Sequence, residues 1–359
     1  MKIAIFIPYI GGLGGHQRVI VKLATYLESK KHKVELFTQR HNKENSIPGF
    51  KNLKINILKP SQKIFAPFVF LFKKIKNFDV VVVGAFPATL STIRNKPSFY
   101  ICYTPKRDFY DLKKFALKNS SFFGKLKIFL KNLFFKKIDF IAAQKATVIS
   151  PISKTIQKRT QKYYKRKTTG IIYPGIDFNS YKTGKYGDYL LCVSRFLPAK
   201  RVDLVIKAMD FVKNKKIKLY IVGEGPEEKK LKKLSKKYKD VRLIGEVSDK
   251  ELIRLYSKCL AGIYMPFNED WGLVPLEFGA SGKPTIGANE GGLRETIVDK
   301  KTGFLISNPT PEKISNKINY FVQDKKRARK MGEEARKRAK NFDWKNLLPE
   351  WEKLILKVH

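Results

Sequence analysis

The segment EDWGLVPLE places two carboxylates, Glu269 and Glu277, eight positions apart. Gly272 and Pro275 stand between them, and Pro275 suits the first position of a helix. We therefore expect Glu269 on a loop and Glu277 in an early helical turn. The helical carboxylate could accept hydrogen bonds from a ribose diol, the loop carboxylate could reach sugar hydroxyls, and the helix start could hold a phosphate. The alternative from this segment alone is a helix-dipole partner plus a solvated loop acid.

Two cations, Arg195 and Lys200, lie on a predicted loop directly after the uncharged run YLLCVS. The arginine fork and the lysine point charge could converge on a diphosphate. Because the chain has 74 Lys and Arg residues, an ordinary solvated pair is the alternative, and the position after a strand favours a site.

Glycine turns follow several predicted strands. Gly11, Gly12, Gly14 and Gly15 separate the first strand from the first helix, where their N–H groups could approach a phosphate or a sugar. The spacing is not that of a dinucleotide-binding loop, so a simple tight turn is an equal alternative. Similar turns contain Gly223 with Gly225, Gly245 to Val247, and Gly291 with Gly292.

The elements that position these residues alternate between short apolar runs and helical patterns. Strands are predicted at 2–8, 33–38, 79–85, 98–103 and 146–150, and the pattern restarts at 188–195, 217–225, 241–247, 261–267 and 283–288. Continuous β-branched runs between helices are typical of parallel sheets covered on both faces. The sequence therefore predicts two doubly wound α/β domains, with the boundary near residues 171–188. Ligands bind at the carboxyl ends of such strands, so we expect the site in a cleft between the domains.

The chain of 359 residues carries a formal net charge of +43. Such a charge favours anionic partners, although much of it reflects a composition rich in Lys throughout. Cys102, Cys192 and Cys259 stand singly, which predicts buried thiols rather than disulfides. The longest apolar run, at 64–72, is too short to span a bilayer, so we expect a soluble or peripheral cytoplasmic protein.

The motifs taken in order resemble the retaining GT-B-fold enzymes of glycosyltransferase family 4, in particular its mannosyltransferase-like members. The resemblance rests on these residues: Gly14-Gly15-x-x-Arg18, Arg195 with Lys200, Gly223-x-Gly225-Pro226, Glu269 with Glu277, and Gly291-Gly292-x-x-Glu295. It implies two Rossmann-like domains at 1–174 and 175–340, which bind the acceptor and the nucleotide sugar respectively. It also implies that a final helix at 341–359 returns to the first domain.

The resemblance also assigns roles to individual residues. Arg195 and Lys200 would hold the diphosphate, Glu277 the ribose and Glu269 the donor sugar. The predicted donor-binding set is Gly14, Gly15, Arg195, Lys200, Gly223, Val247, Gly272, Leu273, Val274 and Glu277. The predicted catalytic set is Glu269, Arg195, Lys200 and Tyr103.

Two positions depart from the family pattern. Tyr103, in YICYTPKRDFYDL, stands where mannosyltransferase-like members carry a histidine that contacts the donor sugar or helps the transfer centre. Gln17 stands where the family often has Glu. A tyrosine can donate a hydrogen bond but carries no charge near neutral pH, which changes that role.

The implied reaction retains the anomeric configuration. Arg195, Lys200 and helix N-termini would neutralise the leaving diphosphate. We expect neither a cofactor nor a metal, since the sequence has no Asp-x-Asp motif and its four histidines have no ligand spacing.

The segment 120–140 predicts a helix with Phe122, Leu126 and Phe129 on one apolar arc and lysines outside it. It suits an interfacial helix on an anionic membrane, and an ordinary core-facing helix is the equal alternative. If the helix is interfacial, the acceptor would be lipid-linked or a glycan. Its predicted contacts are Arg107, Phe122 and Phe129. The apolar run at 65–72 is a second candidate surface.

We therefore predict a glycosyltransferase that uses a GDP- or UDP-sugar, with GDP-mannose favoured. The alternatives are a GT-B-fold nucleotide-sugar epimerase and a basic nucleic-acid-binding protein. No RRM, KH, zinc-finger or helix-turn-helix pattern supports the latter, so no nucleic-acid partner is expected.

Overall fold

The computed structural model describes residues 1–11, 14–44, 47–118 and 120–358. The chain divides into two compact units: Met1–Pro174 with Lys345–His359, and Gly175–Trp344. Each unit contains a six-stranded sheet in which all pairings are parallel. The predicted architecture of two doubly wound α/β domains is confirmed.

The first unit has the strand order β3-β2-β1-β4-β5-β6. Its strands are β1 (Lys2–Ile10), β2 (Lys33–His41), β3 (Lys54–Ile57), β4 (Val80–Val83), β5 (Ser98–Cys102) and β6 (Val148–Pro151). Its helices are α1 (Gly15–Ser29), α2 (Ala66–Phe72), α3 (Lys113–Lys118), α4 (Phe122–Lys145) and α5 (Lys154–Tyr164). The central strands β4 and β5 are buried at every position, because helices cover both faces of the sheet.

The second unit has the strand order β12-β11-β10-β7-β8-β9. Its strands are β7 (Tyr189–Val193), β8 (Lys218–Val222), β9 (Val241–Gly245), β10 (Ala261–Tyr264), β11 (Thr285–Ala288) and β12 (Gly303–Ile306). Its helices are α6 (Val202–Ala208), α7 (Glu228–Ser235), α8 (Asp249–Lys258), α9 (Leu273–Ala280), α10 (Leu293–Thr296), α11 (Pro311–Gln323) and α12 (Lys325–Lys340). Helix α12 packs closely on α9, where a Cβ on Gly279 would lie 2.8 Å from the Ala335 carbonyl oxygen.

The sequence prediction missed two strands, β3 and β12. Each has four residues and lies at the edge of its sheet. The half-exposed strand β3 lacks the continuous apolar run of a central strand, and β12 follows a glycine turn without a recognisable β-branched run. Edge strands carry a weak periodic signal because one side of the ladder has no neighbour.

The final helix α13 (Trp344–Leu356) packs on the first unit. The indole N–H of Trp351 donates to the Tyr173 carbonyl at 3.1 Å, and the Glu352 carboxylate accepts from Tyr26 at 2.8 Å. Glu352 also lies 3.0 Å from His32 Nε2. None of the described helices has both the length and the apolar character that a membrane crossing requires.

Candidate active site

The sequence-predicted site residues of the second unit lie at the carboxyl ends of its strands. Arg195 and Lys200 follow β7, Gly223 follows β8, Val247 follows β9 and Glu269 follows β10. In a parallel sheet these loops emerge at one edge, which is where ligands of open α/β sheets bind.

Lys200 and Glu269 form a direct ion pair. The Lys200 ammonium lies 2.7 Å from Glu269 Oε2 and donates to the Tyr264 hydroxyl at 3.1 Å. Burial alone would lower the pKa of Lys200, but the oxygens of Tyr264 and Glu269 raise it above its ordinary value. Burial, together with the Glu269 charge, also raises the pKa of Tyr264, so this hydroxyl stays protonated. The cluster therefore presents a permanently charged lysine whose position a carboxylate and a phenol fix.

Arg195 lies on an exposed turn, and no described carboxylate lies within ion-pair distance of it. The backbone of this turn is held at both sides: Ser194 N–H donates to the Val222 carbonyl at 3.0 Å, and Phe196 N–H donates to the Glu224 carbonyl at 2.7 Å. Gly223 makes this approach possible, since a Cβ there would lie 2.0 Å from the Ser194 carbonyl oxygen. Gly223 thus positions the Arg195 turn by close backbone packing.

Helix α9 begins at Leu273, two residues before the predicted start at Pro275. The prediction relied on the preference of proline for the first position of a helix. Gly272, with φ 118°, makes the turn into the helix, and Pro275 is tolerated in the first helical turn. The helix ends just before a glycine in the left-handed region: Gly282 has φ 69°, and the N–H of Lys283 donates to the Phe278 carbonyl at 2.9 Å.

Glu277 lies on α9, and its Oε2 accepts a hydrogen bond of 2.6 Å from the Tyr256 hydroxyl. Tyr256 is fully buried on α8, and burial together with the Glu277 charge raises the pKa of its phenol. Each glutamate of this motif therefore accepts a hydrogen bond from another side chain of the protein: Glu269 from Lys200, and Glu277 from Tyr256. Sequence reasoning missed Tyr256, because an aromatic residue on an amphipathic helix is usually a core residue.

Gly291 and Gly292 pack against the loop that carries Glu269. A Cβ on Gly291, which has φ 55°, would lie 2.1 Å from the Glu269 carbonyl oxygen. The Gly292 N–H donates to that same carbonyl at 2.8 Å. We expected this turn to suit a sugar or phosphate directly. The structure engages the Gly292 amide with the protein, so these glycines position Glu269.

Arg201 and Glu290 also hold this loop, and sequence reasoning missed both. The Arg201 guanidinium lies 3.0 Å from Glu290 and donates to the carbonyl oxygens of Met265 and Pro266 at 2.7 and 2.8 Å. Glu290 in turn accepts from the Asn268 N–H at 2.9 Å. Among so many basic residues, the sequence offered no sign that Arg201, rather than another lysine or arginine, fastens the segment.

The first unit gathers a different set at its carboxyl edge. Gly14 is the N-cap of α1 and Gly15 its first residue, whereas Gly12 lies outside the described residues. The Gln17 side chain accepts from the Gly11 N–H at 3.2 Å and donates to the Tyr9 carbonyl at 2.8 Å. A glutamate could not make the second bond, which gives a physical reason for the amide at this position.

Tyr103 follows β5 and packs edge-on against His16, with ring centroids 4.5 Å apart. The Tyr103 hydroxyl and His16 Nε2 are both shielded from solvent and have no hydrogen-bond partner among the residues that the structure describes. Burial raises the pKa of Tyr103 above its ordinary value and lowers that of His16 to about 4, so both rings are neutral at physiological pH. The sequence prediction missed His16 because a lone histidine beside a glycine turn has no distinguishing spacing.

The predicted acceptor residues do not form one cluster. Arg107 makes an ion pair of 2.9 Å with Asp111. Phe122 and Phe129 lie on α4 and are 77% and 59% exposed. Several neighbouring apolar side chains of that helix are exposed as well. The alternative of a core-facing arc is therefore wrong for these residues.

The three cysteines are buried free thiols, as predicted. Burial raises the pKa of Cys192 and Cys259 to about 12. Within the described ranges, no group of three or more His, Cys, Asp or Glu side chains could hold a metal ion.

Two parallel α/β units with a final helix on the first, and charged residues at the carboxyl edge of the second, define the class of GT-B glycosyltransferases. The family model described as Glycosyltransferase Family 4 matches residues 13–180, and the model described as Glycosyl transferases group 1 matches residues 176–338. Together the two models cover residues 13–338, and the resemblance to glycosyltransferase family 4 inferred from the motifs is confirmed.

Relatives and solved structures agree with this assignment. The chain is 25% identical to an alpha-1,3/1,6-mannosyltransferase of Dictyostelium discoideum, over 92% of each chain. It is 28% identical to a GDP-mannose-dependent alpha-(1-6)-phosphatidylinositol monomannoside mannosyltransferase of Mycobacterium tuberculosis, over 47% of this chain and 46% of that protein. The crystal structure of Anabaena HepE with UDP and glucose superposes with a TM-score of 0.79 at 17% identity, over 99% of this chain and all of the other. The family assignment favours a transferase over the epimerase and nucleic-acid-binding alternatives.

Proposed function

We propose that this glycosyltransferase moves mannose from GDP-mannose to a lipid-linked or glycan acceptor, with retention at the anomeric carbon. The observation that carries the proposal is the Lys200–Glu269 ion pair at the carboxyl edge of the second sheet. The choice of mannose and of a GDP-linked donor draws on the relatives named above, whereas the structural neighbour solved with UDP makes a UDP-sugar the second candidate donor.

In this proposal the diphosphate binds Arg195 and Lys200. Arg195 is exposed, Lys200 is held in place by Glu269 and Tyr264, and both residues follow β7. Charge develops on the diphosphate as the glycosidic bond breaks, and fixed cations stabilise that charge without reorganisation. The proposed reaction therefore needs no metal ion and no cofactor.

The rest of the donor is assigned by position. Glu277 would bind the ribose and the backbone near Val247 the base, while Glu269 would contact the sugar. Because Glu269 already holds Lys200, it would couple sugar binding to the position of the cation that meets the leaving group. The start of α9 at Leu273 and Val274 would lie beside the same diphosphate.

We further propose that the acceptor is reached at an anionic membrane, with the protein peripheral on its cytoplasmic face. Support comes from α4, whose exposed apolar side chains lie among lysines. Residues 112–138 contain no Asp or Glu, so this segment would not be repelled by anionic lipid.

The test is a donor screen with an acceptor lipid present in vesicles that contain anionic lipid. We expect GDP and a mannosylated lipid as products, with the anomeric configuration of the donor retained. Lys200→Ala should lower turnover by at least about 100-fold. Lys207→Ala is the matched control, since Lys207 lies on α6 and makes only a 3.7 Å surface pair with Asp203. Full activity in Lys200→Ala would overturn the diphosphate assignment, and an isomerised, untransferred sugar would overturn the reaction.

A further inference from the structure

A groove of about 500 Å³ lies in the first unit between the end of β3 and helix α2. Its walls are mainly apolar: Leu58, Pro60, Phe65, Phe68, Val69 and Phe72. The volume falls within the range of roughly 300–1,000 Å³ that is usual for sites of small organic ligands. The groove is thus large enough for one hydrocarbon chain.

The walls of the groove are unusually apolar for a free surface. Phe68 and Phe72 are 49% and 59% exposed, and Ile64 beside them is 76% exposed. Phe68 also packs edge-on against Phe135 of α4, with ring centroids 6.1 Å apart. The groove and the exposed face of α4 therefore adjoin one another. Large contiguous apolar patches of this kind mark binding sites.

Charge at the groove indicates what kind of molecule fits. Lys59 and Lys73 line it together with the apolar residues. The surrounding segment, residues 45–78, contains several lysines and neither Asp nor Glu. A ligand with a hydrocarbon chain and a negatively charged end would match both features, because the chain contacts the rings and the anion contacts the ammonium groups.

The position of the groove favours a substrate over a structural lipid. Leu58 directly follows β3, so the groove begins at the carboxyl edge of the first sheet, the edge that also carries Tyr103 and the glycine loop. The Gln39 side chain fixes the groove wall by donating to the carbonyl oxygens of Pro60 and Gln62, both at 2.8 Å. The wall is therefore already formed when a ligand arrives.

We propose that this groove binds the hydrocarbon chain of a phosphate-linked lipid acceptor, with Lys59 and Lys73 facing its phosphate. The inference rests on the proposed function and narrows its acceptor to the lipid-linked class. It differs from docking on a bilayer, because the groove takes one chain of one molecule.

The experiment compares two acceptors that carry the same glycan, one on a long phosphate-linked hydrocarbon chain and one on a short water-soluble tail. Both are assayed with GDP-mannose in detergent solution, where no bilayer is present. The variants are Phe68→Ser and Phe72→Ser, whose exposed side chains can change without loss of the core. Phe211→Ser is the matched control, since Phe211 is 46% exposed in the second unit.

We expect the groove variants to raise KM for the long-chain acceptor about tenfold or more and to leave kcat/KM for the short-tail acceptor unchanged. A double change of Lys59→Gln and Lys73→Gln should remove the preference for a phosphate-linked chain over the corresponding alcohol-linked chain. Equal losses on both acceptors, or a loss seen on vesicles but not in detergent, would overturn the proposal. Unchanged transfer to the short-tail acceptor would leave the proposed function standing, whereas absence of transfer to either acceptor in the wild-type protein would contradict that function itself.

Discussion

The carboxyl edges of the two sheets differ in how their polar groups are satisfied. In the second unit, Lys200, Glu269 and Tyr264 bond to one another, and Glu277 accepts from Tyr256. In the described part of the first unit, several shielded polar atoms have no hydrogen-bond partner: Tyr103 Oη, His16 Nε2, Arg40 Nε and His41 Nε2. A charged site that is already assembled can meet an anion without reorganising. A shielded polar atom without a partner costs free energy, so the edge of the first unit carries a cost that the cluster of the second unit avoids.

The two units also differ in the partners of a shielded carboxyl group. Glu269 of the second unit has a lysine ammonium as its partner. Asp139 of the first unit is almost fully buried and accepts from the hydroxyls of Tyr164 and Tyr110, at 2.9 and 3.3 Å. A phenol stabilises a carboxylate less than an ammonium does, so burial dominates and raises the pKa of Asp139 to about 7.

The largest effect is expected from breaking the ion pair of the second unit. Lys200→Ala and Glu269→Ala should each lower kcat/KM by at least about 100-fold, because each loses a fixed charge and leaves its partner misplaced. The double variant should be little worse than either single one, since the two residues act as a unit. The measurement is a double-mutant cycle on nucleotide release. Losses that multiply in the double variant would show that the two residues work independently.

A second prediction concerns the glycine that holds the Glu269 loop. In Gly291→Ala, a Cβ would lie 2.1 Å from the Glu269 carbonyl oxygen, in a backbone conformation with φ 55° that disfavours side chains. We expect a loss of activity of roughly tenfold and a destabilisation of about 1–3 kcal/mol, because the loop must move. Gly170→Ala is a fair control, as its Cβ would meet only the flexible end of Leu354 at 3.2 Å. Wild-type rates in Gly291→Ala would mean that the Glu269 loop has no fixed position to lose.

The sequence predicted the fold well because central parallel strands are continuous apolar runs. It also placed Arg195, Lys200 and Glu269 on loops after strands and Glu277 in an early helical turn. It did not predict which groups bond to which. The Lys200–Glu269 pair joins residues 69 positions apart, and such contacts follow from how strands are ordered in the sheet. Tyr256 and Arg201 were missed for the same reason, since their partners lie on other elements.

For the glycine turns, the sequence indicated the correct loops but the wrong role. Their number suggested direct contact with phosphate or sugar. Gly223 and Gly291 instead let one loop backbone approach another, and only the three-dimensional contacts distinguish these two uses. A glycine in a motif thus identified the right loops but not its own role.

A third prediction tests the buried carboxyl of the first unit. Because the pKa of Asp139 is about 7 in the folded protein and 3.8 as its ordinary value, the folded state binds more protons between these limits. Its contribution to stability therefore falls as pH rises from about 4 through 7, by an amount on the order of 4 kcal/mol. In Asp139→Asn this dependence should vanish, so the difference in Tm between wild type and variant should shift by a few degrees from pH 5 to pH 8. A difference that stays constant over that range would contradict the raised pKa.

The smallest effect is expected at the unsatisfied edge of the first unit. Tyr103→Phe removes a hydroxyl that bonds to none of the described residues, so the free energy of unfolding should stay the same or rise slightly. If the hydroxyl bonds to substrate during the reaction, kcat/KM should fall by about two- to tenfold, which corresponds to one hydrogen bond of about 0.5–1.5 kcal/mol. Tyr163→Phe serves as the control for a tyrosine whose ring stacks on Tyr110 in the same unit. A fall in activity without a fall in Tm would show that the Tyr103 hydroxyl serves the reaction and not the fold. Lys200 and Glu269 differ, because their bond serves both activity and local structure. Unchanged activity would remove Tyr103 from the catalytic residues and leave the two edges different only in how tightly they are built.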